Sequence, residues 1–310
     1  MIKIYKRVSE ELLEIEKIEN GCWIRMIAPT DDEITDISQQ FDIPIDFIKN
    51  PLDVNERSRS EIEGKVTLVI LRTPYFNPEE ISVQFSTMTL GIIICEGVII
   101  TVSLKFNDIL EKITSGRVKK INPAKKSRFV LQIFYHSSLT YLDYLRRINA
   151  RSSAIEDELH ESLKNEELIK LLNLEKSLVY FSTSLKANEL MMEKLQKSVF
   201  LHLYPDDEDL FEDVIIENRQ AIEMAKIYTD ILTGTMDAFA SVISNNLNVV
   251  MKVLTSVTII LMLPTLVASI YGMNIDLPFM KSDNAFIITI GMSLVSALIG
   301  IFFLYRKKWV

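Results

Sequence analysis

Asn248-Val249-Val250-Met251-Lys252-Val253-Leu254-Thr255 leads into an uncharged apolar run, Val253 to Tyr271, and Tyr271-Gly272-Met273-Asn274 ends it. The run has the length needed to span a bilayer. A short segment, Gly272 to Asn284, then separates it from a second spanning run, Ala285 to Tyr305. Lys252 precedes the first span, and Arg306, Lys307 and Lys308 follow the second. The excess of lysine and arginine on the cytosolic side of membrane proteins places both of these ends in the cytosol and the loop, with Asp276, Lys281 and Asp283, outside. Tyr305 and Trp309 suit the membrane interface.

The first span carries a second pattern. Asn248, Met251, Thr255, Thr258, Met262, Thr265, Ser269 and Gly272 recur at alternating spacings of three and four, and the series extends back through Ser244 and Ser241 to Asp237. This is a heptad seam. It is mostly polar or small, while its neighbours are Val, Leu and Ile. A polar stripe on a spanning helix faces protein or water rather than lipid. Periodicity alone leaves two uses open: close helix packing, with the hydroxyls bonded to the preceding turn, or the lining of an ion path. Two spans cannot enclose a path, so the second use requires several copies around an axis.

Upstream of this hairpin the chain has another character. From Val250 on there are two acids and five bases; before it there are 40 acids and 29 bases, a net charge of −11 against +3. The mean hydropathy is +0.18, and 48% of the 310 residues are hydrophobic. These values fit an acidic soluble body joined to a membrane segment. An acidic body excludes nucleic acid as the obvious partner and suits cations. The strand-like alternation of Met1 to Lys6 contains no apolar core of signal-peptide length. Cys22 and Cys95 lack metal-ligand spacing and need not pair, in keeping with a reduced cytosolic body. His136, His160 and His202 form no zinc motif. No nucleotide-binding loop or paired acid and base indicates an enzyme.

Residues 1–122 read as mixed α and β structure. Strands are expected at Cys22 to Ile27 and Val66 to Leu71, and at Ser82 to Cys95 and Val98 to Val102 across a turn at Glu96-Gly97. Thr30 with Glu33 is a capping-box signal for a helix through about Phe41. Residues 123–204 change texture, and from Ala124 to Phe200 the chain has neither Gly nor Pro. Apolar spacings such as Leu139, Leu142, Leu145, Ile148 and Leu168, Leu171, Leu172, Leu178, Phe181 predict two long stalk helices, broken near Leu163-Lys164-Asn165. Pro205 and the acids Asp206 to Asp209 start a third helix. With no further proline before Pro264, it is expected to run through about Tyr271, a length of roughly 95 Å.

The Tyr271-Gly272-Met273-Asn274 motif at the end of the first of two C-terminal spans resembles the signature of the CorA family of magnesium transporters. So do the Asn248 to Thr255 run, Pro264 and the terminal Arg306-Lys307-Lys308-Trp309. The resemblance is strong over about residues 205–310 and architectural elsewhere. It implies a funnel-shaped homopentamer with a cytosolic αβα domain (1–122), a stalk hairpin (123–204), a pore helix (205–271), an outer loop (272–284), a second span (285–305) and a basic tail (306–310). It implies multi-pass insertion in the cell membrane with both termini cytosolic, lipid and its own copies as partners, and magnesium influx with feedback by internal magnesium.

By motif position, Gly272, Met273 and Asn274 would form the ion entry. Asp237, Asn248, Met251, Leu254, Met262 and Thr265 would line the conduit, joined by Thr258 and Ser269 of the seam. Asp213 would bind a regulatory magnesium. Leu254 lies beside the seam. Val249 stands where many members carry an acid, and Ile275 to Met280 is less acidic than in well-known members. Met273 favours magnesium over the zinc-transporting branch; cobalt and nickel are further family substrates. A rival of another class is a membrane-anchored cation sensor or scaffold without transport.

Overall fold

The computed structural model describes residues 1–161, 165–197, 205–275, 277–279, 282–307 and 309. The expected break at Leu163-Lys164 lies outside these residues, as do His202, Asp276, Lys281 and Lys308. The chain divides into two compact units, Met1–Met236 and Asp237–Val310.

The first unit is built on one seven-stranded sheet, ordered β2-β1-β3-β7-β6-β5-β4. The strands are β1 (Ile2–Val8), β2 (Glu11–Ile15), β3 (Trp23–Ile27), β4 (Arg59–Glu63), β5 (Val66–Phe76), β6 (Phe85–Ile94) and β7 (Ile99–Ser103). Only β3 and β7 pair in parallel. Both faces are covered, which is why the central strands read as continuous apolar runs rather than alternating ones. On one face Ile24, Met26, Leu68, Ile70, Ile93 and Val102 pack with Ile34 and Ile37 of α1 (Asp31–Phe41) and Phe47 and Ile48 of α2 (Ile45–Lys49). On the other, Trp23, Val69, Leu71, Leu90 and Ile92 pack with α3 (Asp108–Thr114), α4 (Lys126–Glu161), α5 (Asn165–Gln196) and the start of α6 (Pro205–Tyr271). Successive residues of β5 thus serve opposite cores, as the pleat requires, and the architecture is the expected αβα sandwich.

The local signals act as chemistry dictates. Thr30 Oγ1 accepts from the Glu33 amide at 3.2 Å, and the Glu33 carboxylate accepts from the Thr30 amide at 2.9 Å. The β6–β7 connection turns at Gly97, whose φ of 83° is readily adopted only without a side chain. Asn188 of α5 stands in for a missing strand. Its Oδ1 accepts from the Arg72 amide at 3.0 Å and its Nδ2 donates to the Arg72 carbonyl at 2.7 Å. Beyond Ile70, where the β4 pairing stops, this side-chain amide satisfies the open edge of β5.

The second unit comprises α6 from Asp237 onward and α7 (Ala285–Arg306). Both helices are long and apolar enough to cross a membrane. They pack closely at Gly300, where even a Cβ would lie 2.6 Å from Leu263 Cδ1. Small residues let spanning helices approach in this way.

Candidate ion path and cation sites

The seam is laid out along one exposed stripe of α6. Asp237, Ser241, Ser244, Asn248, Met251, Thr255, Thr258, Met262, Thr265 and Ser269 are all exposed, whereas Ser256 is buried and Leu263 packs against α7. The polar stripe is therefore not the surface by which α6 holds its own second span. Leu254 is exposed beside it.

Three of its six hydroxyls are oriented by bonds to the preceding turn. Thr258 Oγ1 donates to the Leu254 carbonyl at 2.9 Å, Thr265 Oγ1 to Leu261 at 2.8 Å and Ser241 Oγ to Asp237 at 3.0 Å. Both uses of the stripe admit this geometry, but it has a chemical consequence. With its one proton committed to the helix, each hydroxyl offers only lone pairs outward. The water shell of a cation points hydrogens outward, so acceptors are what a hydrated ion can use. Between Asp237 and Asp276 the chain has no acid. Any cation on the stripe would meet neutral oxygens and the apolar side chains of Met251, Leu254 and Met262.

At the far end of α6 the Gly272 amide donates to the Ala268 carbonyl at 2.9 Å, and the Met273 amide to the Ile270 carbonyl at 3.2 Å. These bonds close the last turn and leave Met273 and Asn274 exposed just beyond it. A Cβ at Gly272 would lie 3.3 Å from the Ala268 carbonyl oxygen, which would have to give by a few tenths of an ångström. The sequence reading assigned no role to Tyr271. Its hydroxyl donates to the Pro278 carbonyl at 3.3 Å and lies 3.7 Å from Met292 Sδ on α7. It ties the segment after the motif to both spans. An aromatic residue with a polar tip directly before the motif was the available signal.

Asp213 belongs to the first unit, on the exposed side of α6. Burial, and then the carboxylates of Glu217 and Asp213, push the Tyr135 phenol above its ordinary value. The two acids and the phenol thus share a neighbourhood. No group of three or more His, Cys, Asp or Glu residues able to hold a metal occurs among the described residues. Cys22 and Cys95 are buried free thiols; burial raises the Cys95 pKa to about 11. His136 has its pKa lowered by burial and by Lys112.

A sandwich domain, a helix running from it into an apolar hairpin, and a polar stripe ending at Gly-Met-Asn define a two-span membrane protein of the cation-transporter class. A family model described as CorA-like Mg2+ transporter protein matches residues 19–306, and the chain belongs to that family, whose members are transporters rather than enzymes. The "Cobalt/magnesium transport protein CorA" of Methanocaldococcus jannaschii is 29% identical over 298 residues, covering 93% of this chain and 91% of the relative. Its counterpart in Thermotoga maritima is 21% identical over 97% of this chain and 87% of its own length. The complete structure of the M. jannaschii CorA magnesium transporter superposes with a TM-score of 0.86 at 25% identity, covering 100% of this chain and 99% of that one.

Proposed function

We propose that this chain carries magnesium across the cell membrane through a homopentameric pore lined by α6, and that cobalt is a second cargo. The relatives named for cobalt and magnesium transport support the choice of ions. The exposed polar stripe of α6, ending at Gly272-Met273-Asn274, carries the reading. Five copies around an axis bring the stripes together and close a path that two spans cannot enclose.

The chemistry follows from the ion. Magnesium binds its waters tightly and gives them up reluctantly. A ring of Asn274 amides accepts hydrogen bonds from the water shell without stripping it, while backbone at Gly272 and Met273 shapes the ring. Asn248, Thr258, Thr265 and Ser269 offer further neutral acceptors, which bind weakly enough for the ion to leave. Rings of Met251, Leu254 and Met262 are apolar constrictions that close by dewetting. Asp237 attracts cations at the cytosolic mouth. Lys252, Arg306, Lys307 and Lys308 orient the hairpin with both termini in the cytosol. Purified protein in liposomes, assayed for flux of magnesium, cobalt, nickel and zinc in turn, tests this. Magnesium and cobalt should cross. Flux of zinc or nickel alone identifies a different cargo, and no flux of any of the four returns the chain to the role of sensor or scaffold.

A further inference from the structure

A groove of about 530 Å3 runs along the flank of the hairpin, lined by Ile259 and Leu263 of α6 and by Ile299, Gly300, Phe303 and Leu304 of α7. None of its α6 residues is on the polar stripe. At the end of α7 the lining also includes Lys307 and Trp309.

Backbone bonds hold that end in place. The Lys307 amide donates to the Phe303 carbonyl at 3.1 Å, and the Trp309 amide donates back to the Leu304 carbonyl at 3.1 Å. The second bond runs back across the last turn of α7 and joins the backbones of Trp309 and Leu304. Here those residues, Leu304 and Trp309, both line the groove. The bond thus keeps Trp309 beside the last turn of α7. Lys307 makes no ion pair among the described residues.

We propose that this groove seats an acyl chain of an anionic glycerophospholipid, with its phosphate on the Lys307 ammonium beside the Trp309 indole. The proposal rests on the two helices spanning a membrane and goes beyond the transport reading. Charge selects the lipid over a second copy of the chain as occupant. From residue 250 to the end the only acids are Asp276 and Asp283, both in the segment joining the spans and a full span away from Lys307. The spanning part of another copy would therefore bring Lys252 or its own basic tail to Lys307, and no carboxylate. A phosphodiester supplies the missing anion and a chain of matching polarity together. Basic pockets between spans are suited to anionic headgroups, and tryptophan to the interface where they lie.

Trp309 reports its own surroundings. The only other tryptophan, Trp23, is fully buried in the first unit and gives a constant background. Full-length protein is reconstituted in phosphatidylcholine vesicles containing graded amounts of brominated phosphatidylglycerol or brominated phosphatidylcholine, and tryptophan quenching is measured. Wild type should favour the anionic lipid roughly threefold to tenfold, the scale expected for one desolvated cation near an anionic headgroup. Lys307→Gln should bring the preference close to one. Arg306→Gln removes an equal charge from a residue that does not line the groove and should retain most of the preference. Ile259→Phe fills the groove and should remove the preference while leaving quenching by bulk lipid. Equal quenching by the two lipids in wild type overturns the proposal. So does equal loss in the Lys307 and Arg306 variants, which would mark general surface attraction. Absence of quenching by either lipid also overturns it, since another copy then covers the groove. Neither lipid readout needs transport, so failure of the transport reading leaves this result intact.

Discussion

A threonine that gives its proton to the preceding turn becomes an acceptor toward everything else, and that is the state of Thr258 and Thr265. Asn274 differs, because it is exposed beyond the helix end and its side chain makes no hydrogen bond among the described residues. Its proposed task is to meet the water shell first. Each lost hydrogen bond in Asn274→Ala costs about 0.5–1.5 kcal/mol, and a ring of five repeats the loss, so uptake should fall more than about tenfold. Liposome flux measures this, and size-exclusion chromatography checks that assembly survives; wild-type flux from an assembled variant refutes the role. Asn188 makes the contrasting case of an asparagine with every bond internal. Asn188→Leu would leave the Arg72 amide without its partner and the Arg72 carbonyl with Tyr141 alone. An unsatisfied buried group costs about 1–3 kcal/mol. The thermal transition of the first unit should drop accordingly, with the transport motif untouched; an unchanged melting temperature would show that the β5 edge finds another partner.

At the scale of elements, what the sequence disclosed depended on how local each cause was. The Thr30–Glu33 box, the Gly97 turn and the apolar length of both spans are written in a few adjacent residues, and each was readable. β5 was expected to end at Leu71 but continues to Phe76, because its extension is held by pairing with β6 and by Asn188, more than a hundred residues away. β4 and β2 are short, charged edge strands whose pairing is set by their neighbours; no single-sequence period marks them. The stripe on α6 was legible because it is periodic. The tie from Tyr271 to Pro278 and α7 was not, because it depends on how the loop folds back. Tyr271→Phe keeps the ring and removes that bond. If the tie positions Asn274, flux should fall by roughly fivefold, the worth of about 1 kcal/mol, with assembly retained. Full flux would make the tie incidental. The constriction is tested on the same helix. Leu254→Ser should ease wetting and raise basal flux, and unchanged or lower flux in an assembled variant counts against a gate at that level.

At the scale of the whole molecule, the proposed pore belongs to no single copy, and the same holds for its control. Asp213 is exposed, with Asp209 one turn before it and Glu217 one turn further along α6, and no group of three or more His, Cys, Asp or Glu able to hold a metal occurs among the described residues. The described residues of one chain therefore form no complete cation site at Asp213. Facing copies would supply the missing carboxylate, and they would also repel one another through it. We propose that a magnesium ion held between them, with its waters as intermediaries, would relieve that repulsion and favour a closed, symmetric ring, and that depletion of internal magnesium would loosen it. Placement alone has another explanation, because an exposed acid on a helix surface is ordinarily just solvated. Asp213→Lys separates the two. If Asp213 senses the ion, its lysine supplies the bridging charge permanently, so flux should be low and nearly independent of internal magnesium. If it is only a solvated surface acid, the substitution should change stability by less than about 0.5 kcal/mol and leave feedback alone. Flux from vesicles loaded with graded magnesium decides between them: inhibition with an unchanged midpoint and extent would place the sensor elsewhere on the assembly.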